Sequence, residues 1–107
     1  MGLDKNEFKV RVREWATKLD VKVQAIALRP MVDKWASCST AGRLNFNSEL
    51  LDYDCEVADY VIVHELLHFF VPNHGRLWKS LMRAHLGDHE RLEQKLRKKS
   101  QPLASGT

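Results

Sequence analysis

Residues Ala58 to Phe70 read Ala-Asp-Tyr-Val-Ile-Val-His-Glu-Leu-Leu-His-Phe-Phe, and the rest of the chain can be arranged around them. Apolar side chains recur on nearly every side of this stretch. As a helix it is therefore buried all round, the central element of a small domain. His64, Glu65 and His68 interrupt the apolar run with the spacing H-E-x-x-H. One helical turn separates the two histidines, so both imidazoles lie on one face and can share a zinc ion. Glu65 sits beside them, placed to take a proton from a metal-bound water.

A lone buried histidine is ordinarily bonded to a backbone carbonyl. Two imidazoles and a carboxylate on an apolar helix are a different matter, because burying them without a partner costs several kcal/mol, and a metal supplies that partner. His74 follows just past Pro72 and Asn73 and is a candidate third ligand. The proline break favours this, since a continuing helix would carry His74 away whereas a turn folds it back. The competing reading makes His74 a capping residue for the next helix. The metzincin pattern H-E-x-x-H-x-x-G-x-x-H has the same spacing, although Val71 stands here in place of its glycine. Three imidazoles with a fourth position open to water are the arrangement of a catalytic zinc site rather than a closed structural one.

On the N-terminal side, Asp4 to Leu19 has an amphipathic helical stripe of Phe8, Val12, Trp15, Ala16 and Leu19, with a capping box from Asp4 to Glu7. Val21 to Leu28 alternates as a strand and is stopped by Pro30. Lys34 to Ser39 is a second strand and Arg43 to Asn47 a third, paired as a hairpin about Ala41-Gly42, so the sheet is expected to be partly antiparallel. Ser48 to Leu51 reads as a short helical turn capped by Ser48, with the central helix beginning near Glu56. Beyond the break, Gly75 to Leu86 forms a helix with Leu77, Trp78, Leu81, Met82 and His85 inward and Gly87 at its end. Asp88 caps a last helix carrying Leu92 and Leu96. His85 is expected at the core edge and His89 at the surface. The pattern is α+β, with three strands packed on the central helix and two to three further helices.

The 107 residues are enough for one core, so residues 1–100 are expected to form a single domain and residues 101–107 a disordered tail. A hydrophobic fraction of 44% with 29% charged residues is that of a soluble globular chain. The charged N-terminus lacks the apolar core of a signal peptide, and no apolar run is long enough to span a bilayer. Cys38 and Cys55 do not form a C-x-x-C pair and are expected to be reduced, in keeping with a cytoplasmic protein. The net charge of +3 is too small to define a partner.

Several supporting roles stay open at this level. Tyr60, Arg76 and His85 are candidates to stabilise an oxyanion, and Asn73 to shape the turn. The acidic group Asp52, Asp54, Glu56 and Asp59 contains candidate partners for a ligand histidine. Lys34 to Ser39 is the expected substrate-facing edge, with Trp35 and Ser37 as candidate substrate-binding residues, because peptides commonly add as a strand to an exposed sheet edge.

Lys-Trp-Ala-Ser-Cys-Ser at 34–39, Arg-Leu-Asn-Phe-Asn at 43–47, Asp-Tyr-Val-Ile-Val-His-Glu-Leu-Leu-His at 59–68 and Asn-His-Gly-Arg-Leu-Trp at 73–78 together resemble the YgjP-like/SprT-like zinc metallopeptidases. These stretches are similar to the family's W-G-S-C-S strand, its following hairpin strand, its Y-V-V-x-H-E-L-x-H helix and its N-H-x-x-x-F-W element. Ala36 replaces the usual glycine of the first. The resemblance covers roughly residues 10–90 and implies a minimal zincin-like fold with one zinc per chain on His64, His68 and His74 and with Glu65 as catalytic base. It also implies a peptide or protein substrate. SprT-like relatives act on proteins bound to DNA.

The function expected is therefore a zinc-dependent peptidase. Two rivals are a zinc hydrolase of a non-peptide substrate such as a nucleotide, and a non-enzymatic zinc-binding module on nucleic acid. The second rival draws on Arg91, Lys95, Arg97, Lys98 and Lys99. A solvated basic helix end that complements the helix dipole is the better explanation of those charges.

Overall fold

The computed structural model describes residues 3–32, 34–39, 41–69 and 75–97. Its elements run α1 (Lys5–Leu19), β1 (Ala25–Arg29), β2 (Ala36–Cys38), β3 (Arg43–Asn47), a 3-10 turn (Ser48–Asp52), α2 (Cys55–Leu67), α3 (Arg76–Leu86) and α4 (His89–Arg97). This is the expected α+β arrangement of a three-stranded sheet with a central helix and three others.

Ten of the thirteen residues of α2 are buried, which makes it the core of the molecule. Its β-branched residues Val57, Val61, Ile62 and Val63 each disfavour a helix by about 0.5 kcal/mol relative to alanine. Burying each contributes about 1.5–3 kcal/mol, so tertiary packing overrides local preference. Asp54 caps the helix by accepting a bond from the Val57 amide. The helix starts at Cys55 and ends at Leu67, with His68 at its C-cap, shorter than the sequence pattern alone suggests.

The strands lie in the order β1-β3-β2, with β1 parallel to β3 and β2 antiparallel to it. Ile26 and Leu28 align with Leu44 and Phe46, which oppose Cys38 and Ala36 in β2. All six belong to the sheet face turned to the core. The α1 stripe of Phe8, Val12, Ala16 and Leu19 is buried as expected, and Phe8 meets Phe46 edge-on at 5.0 Å. The Asp4–Glu7 capping box is present. Trp15 is half-buried at the border of this stripe.

Several expectations need correction. The first strand begins at Ala25 rather than Val21, because pairing with β3 starts only at Ala25 opposite Arg43. Val21 and Val23 still pack on the core, from an extended lead-in held by Gln24 N donating to Gly42 O at 2.8 Å. Gly42 has φ +90°, and a Cβ there would lie 3.1 Å from Lys22 O, so both conformation and close approach require glycine. The second strand is confined to Ala36–Cys38. The 3-10 turn is capped by Asn47 rather than Ser48, through the Glu49 amide donating to Asn47 Oδ1.

In α3, Trp78 and Met82 face inward, but Leu77 is 62% exposed and His85 is also exposed. The inward stripe is narrower than the one drawn from the sequence. Asp88 caps α4 as expected, accepting from the Arg91 amide at 3.3 Å. His89, expected at the surface, is instead buried. The Pro72-Asn73 break, His74 and the C-terminal tail lie outside the described residues.

Candidate metal centre

The last two turns of α2 bring His64, Glu65 and His68 together. Among the described residues this is the one group of His, Cys, Asp or Glu side chains close enough to hold an ion, with ligand atoms all within 4.8 Å of one another. His64 and Glu65 are each 1% exposed and His68 is half-buried. The His64 and His68 rings meet edge to face, centroids 4.9 Å apart. One turn of helix between two imidazoles produces this approach directly.

His64 Nδ1 lies 3.2 Å from Glu65 Oε2. An ionised carboxylate can only accept, so it favours the tautomer with the proton on Nδ1 and leaves the Nε2 lone pair for a metal. The donor set fits zinc: neutral imidazole nitrogens with a neighbouring carboxylate, in an apolar surround that raises the cost of leaving them without a cation.

Aromatic rings wall in His64. The Tyr60 ring lies 5.9 Å from it at 54°, and the Trp78 ring 5.2 Å from it at 79°. Tyr60 precedes His64 by one turn of α2, whereas Trp78 reaches across from α3. Sequence reasoning placed Trp78 only on an inner face. Its position in the N-H-x-x-x-F-W-like stretch was the available signal that it belongs beside the site.

Among the oxyanion candidates, Tyr60 is buried beside His64, whereas Arg76 and His85 are exposed on α3. The His85 ring contacts Trp15, 6.0 Å away. Three of the four acidic residues considered as histidine partners are engaged elsewhere. Asp59 binds Arg11 and Trp15, Glu56 pairs with Arg91, and Asp54 caps α2 and pairs with Lys95. The hydrogen bond to Asp59 raises the Arg11 pKa above its ordinary value, against the opposing effect of burial. Arg91 is raised likewise by its bond to Glu56.

The sheet edge also differs from expectation. Trp35 is fully buried, its ring edge-on to Tyr53 at 5.4 Å, so its side chain belongs to the core and does not line a groove. Ser37 is half-buried opposite Asn45, on the sheet face away from Leu44 and Phe46. Asn47 is fully buried and ties the β1–β2 connection to the end of β3, donating from Nδ2 to Met31 O at 2.9 Å and Lys34 O at 3.1 Å. Among the described residues no helix is long and apolar enough to cross a membrane.

Solved structures share this architecture. The metallopeptidase zymogen jannalysin of Methanocaldococcus jannaschii is 29% identical, with a TM-score of 0.76 over 86% of this chain and 95% of its own. The metallopeptidase zymogen abylysin of Pyrococcus abyssi is 15% identical, with a TM-score of 0.78 over 91% of this chain and 99% of its own, a likeness of fold. No curated protein matches the sequence. Residues 4–99 match the sequence model of the YgjP-like metallopeptidase domain, and with the H-E-x-x-H pair gathered on a buried helix, the chain belongs to the YgjP-like metallopeptidase family.

Proposed function

We propose that this metallopeptidase holds one zinc ion on His64, His68 and His74 and uses Glu65 as the base that prepares water for attack on a peptide carbonyl. The observation carrying the reading is the convergence of His64, Glu65 and His68 within 4.8 Å on a buried helix. His74 enters on its sequence spacing and the family resemblance. When bound, zinc would lower the pKa of a coordinated water toward about 7 and polarise a carbonyl.

The residues of the chain divide the remaining work. Glu65 takes a proton from the attacking water and returns it to the departing amine. His64 Nδ1 lies 3.2 Å from Glu65 Oε2, and a proton held there would leave Nε2 to hold the ion. The apolar lining from α2 keeps bulk water away, which strengthens each of these charge interactions. A peptide substrate laid along the β2 edge would be read through main-chain bonds, with Ser37 alongside. Tyr60 is the oxyanion candidate best supported by position.

The alternative of a nucleic-acid module loses part of its support, since Arg91 and Lys95 face Glu56 and Asp54 rather than forming an uncompensated basic strip. Lys98 and Lys99 lie outside the described residues. We assign the protein to the cytoplasm, in keeping with the expectation that Cys38 and Cys55 are reduced. Metal analysis of the purified chain, combined with a degradation screen on unfolded proteins and on nucleotides, tests the reading. Zinc near one equivalent with peptide cleavage supports it; turnover of nucleotides alone would favour the non-peptide hydrolase.

A further inference from the structure

His89 opens α4 and is 3% exposed, yet among the described residues neither of its ring nitrogens has a hydrogen-bond partner. A buried imidazole with both polar atoms unmet calls for an explanation in packing or function. Its surroundings offer one. The His89 ring lies parallel to Tyr60, centroids 6.4 Å apart at 7°, and edge-on to Trp78 at 5.9 Å. Tyr60 and Trp78 are the two rings that wall in His64. His89 therefore stands directly behind that wall and touches both of its halves.

We propose that His89 is a positioning residue for the metal ligand His64, acting through the rings of Tyr60 and Trp78. The inference rests on the assignment of His64 as a ligand. An imidazole binds a metal well only when its ring plane is fixed. Glu65 steadies one edge of His64 through Nδ1, but it sits on the same helix and cannot stop the ring from tilting against α3. That restraint comes from Trp78 on α3, and from Tyr60 one turn before His64. His89 lies against both of these rings.

The local structure holds His89 in place. Gly87, at φ 68°, turns the chain at the end of α3, and the His89 amide donates to Gly87 O at 2.8 Å. Asp88 then caps α4. Leu92 and Leu96 bury α4 in the core, and Arg91 to Glu56 and Lys95 to Asp54 run from it to the start of α2, the helix that carries Tyr60 and His64. The first residue of α4 is thereby pressed into the interval between α2 and α3.

The test uses cobalt(II) as the probe on the full chain, reading apparent affinity and the visible absorption of the bound ion. His89→Ala is expected to weaken cobalt binding by about tenfold or more and to alter the absorption bands, the usual scale for loss of a support behind a ligand. His89→Phe keeps a flat ring without the polar atoms and is expected to restore both to within about twofold of wild type. Circular dichroism checks folding. If His89→Ala does not fold, His89→Leu, which fills volume without a ring plane, takes its place with the same expectation. A folded His89→Ala or His89→Leu protein with wild-type affinity and spectrum overturns the inference, as does His89→Phe binding as weakly as His89→Ala. Wild-type protein that binds no cobalt overturns the metal assignment itself, a different and recognisable failure.

Discussion

Arg11 and Asp59 join the first helix to the central one through two side-by-side contacts, Nε to Oδ1 at 2.5 Å and Nη2 to Oδ2 at 2.9 Å. The Trp15 indole adds a third, donating to Asp59 Oδ1 at 2.9 Å. Asp59 is largely buried and Arg11 partly so, which places the pair between the weak ion pairs of the surface and the costly ones of the interior. Asp59→Ala removes the acceptor of all three bonds and is expected to cost about 2 kcal/mol, lowering the melting temperature by roughly 10 °C. Because the hydrogen bond to Asp59 raises Arg11 above its already high ordinary value, the guanidinium keeps its charge until strong alkali, and raising the pH through that value removes the contribution from the Arg11 side. Thermal unfolding of the variant checks the first point. Metal content at the wild-type level in the folded variant would show that the pair is a clamp between helices and not a part of the centre.

What could be read from the sequence was whatever depends on a residue's neighbours along the chain. The helix carrying His64, Glu65 and His68 was legible because a long apolar run leaves few alternatives, and one turn of helix fixes how two of its side chains meet. The Asp4–Glu7 cap and the antiparallel partnership of Ala36–Cys38 with Arg43–Asn47 were legible for the same reason. The parallel pairing of β1 with β3 was not, because it joins strands separated by another strand. Trp35 reads as a groove lining or, as a Trp in a strand more often is, a core residue, and Tyr53 packed against it decides for the core. His89 follows a capping aspartate, a position that usually faces water. The approach of Tyr60 and Trp78 from two other helices, which the sequence does not show, brings rings against it.

Asn47 satisfies two carbonyls that no ladder reaches, those of Met31 and Lys34. Asn47→Ala leaves both without that donor in a buried place, at an expected cost of about 2–3 kcal/mol. Since those carbonyls lead into β2, the folded fraction is expected to show a higher KM with a smaller change in kcat. Steady-state kinetics on a peptide substrate, corrected for folded protein, measures this; a loss confined to kcat would mean that β2 does not receive substrate.

His68→Ala removes one of two imidazoles set 4.9 Å apart, and the folded variant is expected to lose zinc binding by at least a hundredfold. Competition with a zinc chelator of known affinity gives the number. Retention of tight binding would show that the ion is held elsewhere.

Arg91 and Lys95 are exposed partners of Glu56 and Asp54, so each truncated to alanine is expected to change stability by no more than about 0.5 kcal/mol. Fluorescence anisotropy with duplex DNA should find at most weak binding that is little altered by either change. Tight, salt-sensitive binding lost in the double variant would revive the nucleic-acid reading.

The most direct trial is Glu65→Gln, which keeps the shape of a side chain buried beside His64 but removes its ability to accept a proton as a base. Zinc content and the rate of cleavage of an unfolded protein are measured together on wild type and variant. The account predicts that Glu65→Gln retains one zinc per chain while cleavage falls by about a thousandfold or more. Cleavage by the variant at the wild-type rate, with zinc bound, would contradict it.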